Sequence, residues 1–223
     1  MTAPRPHRRF VRSAPGKTDP RVAVPLRMTD MTGADAAWWD ARMGPHHVRK
    51  PKRADRYWTW SVLLIACHLV QLARKRHLRP LVVWARADNG RYLRVAMSII
   101  IENYPHLEAG PPAEGHFLWF LCAADKGVLA RHFGFANPPS LGRVLLDNAM
   151  VLSENAGLSG RIGLHAARAG GAALLAFYRD SGLRRLPAGA TLPRAIKRRN
   201  DGRFFYADET TAGALMSKLD VDR

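Results

Sequence analysis

The sequence is short of cysteine, short of acid and without a long apolar run. Cys67 and Cys122 are the two cysteines of its 223 residues. They are far apart and form no Cys-x-x-Cys pair, so a disulfide framework is excluded and a reducing, cytoplasmic setting is expected. Both sit in apolar stretches, which predicts buried, inert thiols. The basic N-terminus carries no apolar core of the kind a signal peptide needs. The longest apolar run, Val62 to Ala73, is broken by His68 and Gln71 and is too short to span a bilayer. Asp and Glu number 18 against 35 Lys and Arg, a formal charge of +17. A field of that sign attracts polyanions and says nothing about fold. The hydrophobic fraction of 47% is ordinary for a globular protein and excludes wholesale disorder.

The positive charge falls in blocks. One spans Arg5 to Arg27, a second is Arg49-Lys50-Pro51-Lys52-Arg53, and a third runs from Arg184-Arg185 to Arg203. Residues 1–30, with five prolines among arginines and no periodic apolar pattern, read as a flexible basic tail that could touch nucleic acid nonspecifically. The remaining residues, 31–223, are read as one domain. Thr32 can cap a short helix through the Trp38-Trp39 pair, followed by a basic linker from His46 to Arg56. Trp58, Val62, Ile65, Leu69 and Leu72 recur at spacings of three and four, predicting an amphipathic helix from Trp58 to His77 that buries that face. Arg79-Pro80 ends it.

Two β-rich runs, LVVWARA and RYLRVAMSIII, flank Asp88-Asn89-Gly90, a strong hairpin signal because the tight turn needs positive φ. HFLWFLCAA is apolar on both faces and is expected as a central strand. Asp125 to Gly134 can form a short helix. Ser140 can cap a long helix from Leu141 to Asn155 that Gly157 ends. A strand over 160–167, a helix over 170–180, strands near 183–187 and 204–206, and a terminal helix over 209–219 complete the order. The sum is an α/β chain with a single mixed, mostly antiparallel sheet flanked by helices.

Two places in this order suggest chemistry. Helix 141–155 opens beside Gly142, where free amides and the helix dipole favour phosphate. The next helix ends in Phe177-Tyr178 just before Ser181-Gly182-Leu183. With these residues the stretch from Tyr57 to Tyr206 resembles the GNAT superfamily of acyl-CoA-dependent N-acyltransferases. The family's phosphate loop, Gln/Arg-x-x-Gly-x-Gly/Ala, corresponds to Asn137-Pro138-Pro139-Ser140-Leu141-Gly142; only Gly142 fits cleanly, and the two prolines remove two donors. Tyr178-Arg179-Asp180-Ser181-Gly182-Leu183 matches the family's Tyr-x-x-x-Gly-Phe with Leu for Phe.

The resemblance implies acetyl-CoA or another acyl-CoA as cosubstrate, held by Asn137, Ser140, Leu141, Gly142 and Arg143. It implies a backbone N–H among Leu121, Cys122 and Ala123 on the acyl carbonyl, and Tyr178 as the acid that reprotonates the leaving thiolate. The partner would be a small-molecule or peptide amine, and a homodimer is compatible with it. Tyr178 can equally be read as sealing its helix to the sheet. Glu102, Asp125 and His165 are the conceivable bases. A second function remains open: the same fold, catalytically decayed, binding polyanions through its basic surface. No metal is expected, since His7, His46 and His47 have no carboxylate or cysteine at ligand spacing and read as surface histidines.

Overall fold

The structure is a computed structural model that describes residues 13–15, 23–50, 53–74, 77–108, 113–193, 196 and 199–219. Eight strands form one sheet: β1 (Ser13–Pro15), β2 (Ala23–Asp30), β3 (Leu78–Arg86), β4 (Tyr92–Pro105), β5 (Glu114–Ala123), β6 (Ile162–His165), β7 (Arg184–Arg185) and β8 (Phe204–Ala207). Their order is β1-β2-β3-β4-β5-β6-β8-β7. Every neighbouring pair is antiparallel except β5 and β6, so the mixed, mostly antiparallel sheet expected from the sequence is present. Among the described residues no helix is long and apolar enough to cross a membrane.

The hairpin lies where the sequence puts it. β3 pairs with β4 from Leu78↔Ile101 to Arg86↔Tyr92, and Gly90 takes φ +81 in the turn. Helix α1 (Gly33–Arg42) begins at Thr32 with a reciprocal capping box, in which Asp35 N–H donates to the Thr32 hydroxyl and Thr32 N–H to the Asp35 carboxylate. Helices α4 (Lys126–Phe133), α5 (Leu141–Asn155), α6 (Gly171–Asp180) and α7 (Glu209–Leu219) sit close to their expected bounds. α5 is buried along eleven of its residues, including Leu145, Leu146, Ala149 and Met150. It lies against β4, β5 and β6 as the main prop of one sheet face.

Three expectations are corrected. The tail expected over residues 1–30 gives up Ser13–Pro15 to β1 and its last eight residues to β2, which pairs with β3 from Leu26↔Ala85 to Asp30↔Leu81. Val24 and Leu26 are buried while Pro25 and Arg27 are exposed, a period of two that prolines and arginines mask in the sequence. The linker expected over His46 to Arg56 begins inside helix α2 (Gly44–Val48), which has Pro45 in its first turn.

The helix expected from Trp58 to His77 is α3 (Trp60–Arg74), turned the opposite way. It buries Trp60, Leu64 and Cys67, whereas Val62, Ile65, Leu69 and Leu72 are all at least 60% exposed. Both stripes recur at helical spacing, so periodicity could not choose between them. Trp60, fully buried, decides it by size.

Candidate functional site

The parallel pair β5–β6 is bonded only over His116↔Ile162 to Leu118↔Leu164. Beyond it β5 continues to Ala123 while β6 stops at His165, and a cleft of about 370 Å³ opens between them. Its lining comes from five directions: Leu118, Trp119, Leu121 and Ala123 of β5; Leu164 and His165 of β6; Gly142 and Leu145 of α5; Leu174, Phe177 and Tyr178 of α6; and Arg53, Asp55 and Trp58 before α3. Ala124 N–H donates to Val95 on β4. Successive residues of a strand point their backbone groups to opposite sides, so Ala123 and Leu121 turn theirs to the cleft and Cys122 turns its own to β4. Ala123 C=O accepts from Arg53 at 2.6 Å, on that open side.

The sequence-derived site residues are therefore only partly brought together. Leu121, Ala123, Gly142 and Tyr178 line the cleft. Cys122 does not: its side chain is buried, its sulfur 3.7 Å from His47 Nδ1. Asn137, Ser140, Leu141 and Arg143 are not part of the lining. Ser140 occupies the N-cap of α5, yet its side chain makes no capping bond, so the first-turn amides are not quenched by it. Gly142 faces α6 at close range, and a Cβ there would stand 2.6 Å from the Phe177 ring. Helix packing against the Phe177 ring therefore favours glycine at that position.

Tyr178 is 6% exposed and packs at a tilt against Phe177 and Phe205. Burial pushes its phenol up to about 12, with the Asp55 carboxylate adding to the effect. It is a neutral hydrogen-bond donor throughout the physiological range. Of the three candidate bases, His165 alone lines the cleft, and its Nε2 meets Asp201 Oδ1 at 3.1 Å. Asp125 caps α4 and pairs with Lys50 at 2.6 Å, and Glu102 faces Arg79 at 3.8 Å.

What sequence reading missed is a buried polar cluster behind the open strand. Asp55 accepts two bonds from Arg53, at 2.8 and 2.5 Å, and its carboxyl is held below the usual carboxylate range; burial opposes this and the Arg53 bonds overcome it. His47 Nδ1 lies 3.6 Å from Asp55 and is only 2% exposed, so the surface-histidine reading of His47 fails. Burial drives its imidazole down to about 4, assisted by Arg53 and opposed by Asp55. Burial also raises the Cys122 thiol well above its ordinary value. The ligand-type atoms of His47, Asp55 and Cys122 lie within 4.8 Å of one another. That donor set suits zinc, but both carboxylate oxygens are already engaged by a guanidinium, so the cluster closes on Arg53 as its cation. His46 stacks on His132 at 4.7 Å, and His7 lies outside the described residues.

His116, like His47, is 2% exposed and is pushed down to about 4 by burial. Both are neutral in the fold and take up protons near the ordinary value of 6.5 once unfolded. Their stabilising contribution is complete above 6.5 and is lost progressively down to about 4. Each should cost about 3 kcal/mol over that window. Urea melts at pH 7 and pH 4.5 should show the loss, and equal midpoints at both would sink this assignment.

Several cations of the third basic block are structural. Arg184 pairs with Asp208 at 2.6 Å, Arg185 donates to Gly202 C=O, and Arg203 donates to the carbonyls of Ala166 and Ala167. Arg194, Lys197, Arg198 and most of the N-terminal block lie outside the described residues.

No family model and no curated protein matches the chain. Among solved structures it is similar to a mutant AtaT toxin bound to acetyl-CoA and the C-terminus of the antitoxin AtaR. That pair is 14% identical, with 86% of this chain and 98% of that one covered at a TM-score of 0.47. The spermidine N-acetyltransferase of Vibrio cholerae, in complex with CoA and spermine, is 14% identical over 84% and 97% of the two chains, with a TM-score of 0.48. An acetyltransferase from Thermus thermophilus is 16% identical over 82% and 96%, with a TM-score of 0.47.

Proposed function

We propose that the chain transfers an acyl group, acetyl in the first instance, from acyl-CoA to a primary amine. The observation that carries this reading is the parting of β5 from β6. It leaves the backbone edge of Leu121 and Ala123 facing a cleft that Tyr178 and His165 also line. The residues present suit the cosubstrate. An extended pantetheine arm can lie along the open β5 edge as an added strand. The amides of Leu141, Gly142 and Arg143, at a helix N-terminus without a side-chain cap, suit the pyrophosphate. Pro138 and Pro139 offer no N–H, so fewer donors meet the phosphates than in the family's usual loop.

When bound, acetyl-CoA supplies an electrophilic acyl carbon on a thiol leaving group. His165, oriented by Asp201, accepts the proton the amine loses as its nitrogen bonds to that carbon. A backbone N–H of Leu121 or Ala123 holds the carbonyl oxygen as charge develops on it. Tyr178 would donate its proton to the sulfur as the carbon–sulfur bond breaks, and the proton taken up by His165 would return to the Tyr178 oxygen, so that amine plus thioester give amide plus thiol and both side chains are restored.

Calorimetric titration with acetyl-CoA and 3′-dephospho-CoA tests the binding half. Saturable micromolar affinity for both is the expected outcome, and no binding to folded protein would overturn the reading. For the chemical half, His165→Gln should lower kcat by about 100-fold with little change in the KM for acetyl-CoA. An unchanged kcat would remove His165 from the mechanism and leave the binding result standing.

A further inference from the structure

The cleft has two unlike sides. Leu118 and Leu164 at its base belong to the core that contains Leu146 and Met150 of α5. Alternation along β6 therefore sends His165 to the opposite face, where its ring lies 4.6 Å from Phe204. On β5 the register with β4 slips: Ile99 pairs with Phe120 and Ile100 with Leu118, and Trp119 is the extra residue. Such a bulge re-aims a side chain. Here it puts the Trp119 ring beside Phe120 at 5.0 Å, and Phe120 in turn meets Trp58 edge-on at 4.8 Å.

Trp119 is 37% exposed and lines the cleft with Trp58. An indole turned out of the core by a bulge, on the same cleft as His165, leaves a large apolar surface open to whatever enters there. Besides His165 and Tyr178, the ionisable side chains on the lining are Arg53 and Asp55. Arg53 and Asp55 cancel in a two-bond pair, so among the described residues the lining holds no surplus carboxylate for a second ammonium group.

Resting on the acyl-transfer reading, we propose that the acceptor is a primary amine with a single positive charge and a flat aromatic group that stacks on Trp119 beside Trp58. Linear polyamines are excluded as good substrates, since each additional ammonium would enter the cleft without a counter-ion. Tryptamine and tyramine fit these terms, and n-butylamine and spermidine are the contrasting probes.

The experiment measures thiol release from acetyl-CoA by the full chain with each of the four amines. The kcat/KM for tryptamine and tyramine should exceed that for n-butylamine by about tenfold, the upper range for one ring stack, with spermidine lowest. Trp119→Ala should bring the tryptamine to n-butylamine ratio close to one, and Trp119→Phe should keep most of it. Equal rates, a preference for spermidine, or a ratio untouched in Trp119→Ala would overturn the proposal while leaving acyl transfer intact. Saturation-transfer NMR with tyramine gives a readout independent of turnover. Contact between the tyramine ring and wild-type protein that vanishes in Trp119→Ala is expected, and its absence in the wild type overturns the proposal. Failure of acetyl-CoA to bind at all would instead strike the underlying reading.

Discussion

Replacing Asp55 with asparagine should lower the unfolding free energy by about 3–5 kcal/mol, the range for breaking one partner of a buried ion pair. Asp55 is 7% exposed and receives both Nε and a terminal nitrogen of Arg53. An asparagine can accept with its oxygen, but its amide nitrogen would point donor to donor at the guanidinium. Arg53 would then be held among His47, Cys122 and the Ala123 carbonyl with its directly bonded counter-charge gone and only the more distant Asp125 opposing it. Asp55 also contributes to the raised phenol of Tyr178, so the same change should move that phenol back toward its ordinary value. Urea melts of Asp55→Asn beside the double variant Arg53→Met/Asp55→Leu separate the lost pair from the stranded charge. The double variant should recover much of the loss, because two apolar groups leave nothing unsatisfied. A loss below about 1 kcal/mol in Asp55→Asn would mean that solvent reaches the pair and screens it as it does surface pairs.

That cluster also marks where sequence reading ran out. The hairpin at Asn89-Gly90 and the bounds of α5 were legible because a turn dipeptide and a run from Ser140 to Gly157 are local signals. The face of α3 was not, since the helix carries two apolar stripes and only the sheet beneath it selects Trp60, Leu64 and Cys67. β2 was hidden because its buried alternation, Val24 and Leu26, is interleaved with Pro25 and Arg27. Among the candidate bases His165 was visible as a residue, but its partner Asp201 lies 36 positions away on a loop before β8. Arg53, Asp55, His47 and Cys122 come from three separate segments, and Arg53 looked like one more cation in a basic linker. No pattern along the chain announces a contact between residue 53 and residue 123. The apolar run of β5 was read correctly as a central strand, yet the bulge that frees Trp119 depends on its register with β4.

Tyr178→Phe should reduce kcat by about 100-fold, equivalent to about 2.7 kcal/mol of transition-state stabilisation, and leave folding intact. The ring that packs against Phe177 and Phe205 is retained in phenylalanine, so the change removes only the hydroxyl. This distinguishes the two roles open to the residue: a tyrosine that merely seals α6 to the sheet would tolerate the substitution with full turnover. The raised phenol fixes the sign of the pH effect. At about 12 it remains protonated through neutral and mildly alkaline solution, so it contributes no falling limb to the wild-type rate in that range. The variant should therefore be slower by a nearly constant factor from about pH 6 to about pH 9. In the proposed transfer a phenol this weak would give up its proton only as the sulfur gains charge, which puts its contribution in kcat and leaves the KM for acetyl-CoA nearly unchanged. Equal kcat in the two proteins would remove Tyr178 from the chemistry and leave the open β5 edge and His165 to account for the reaction.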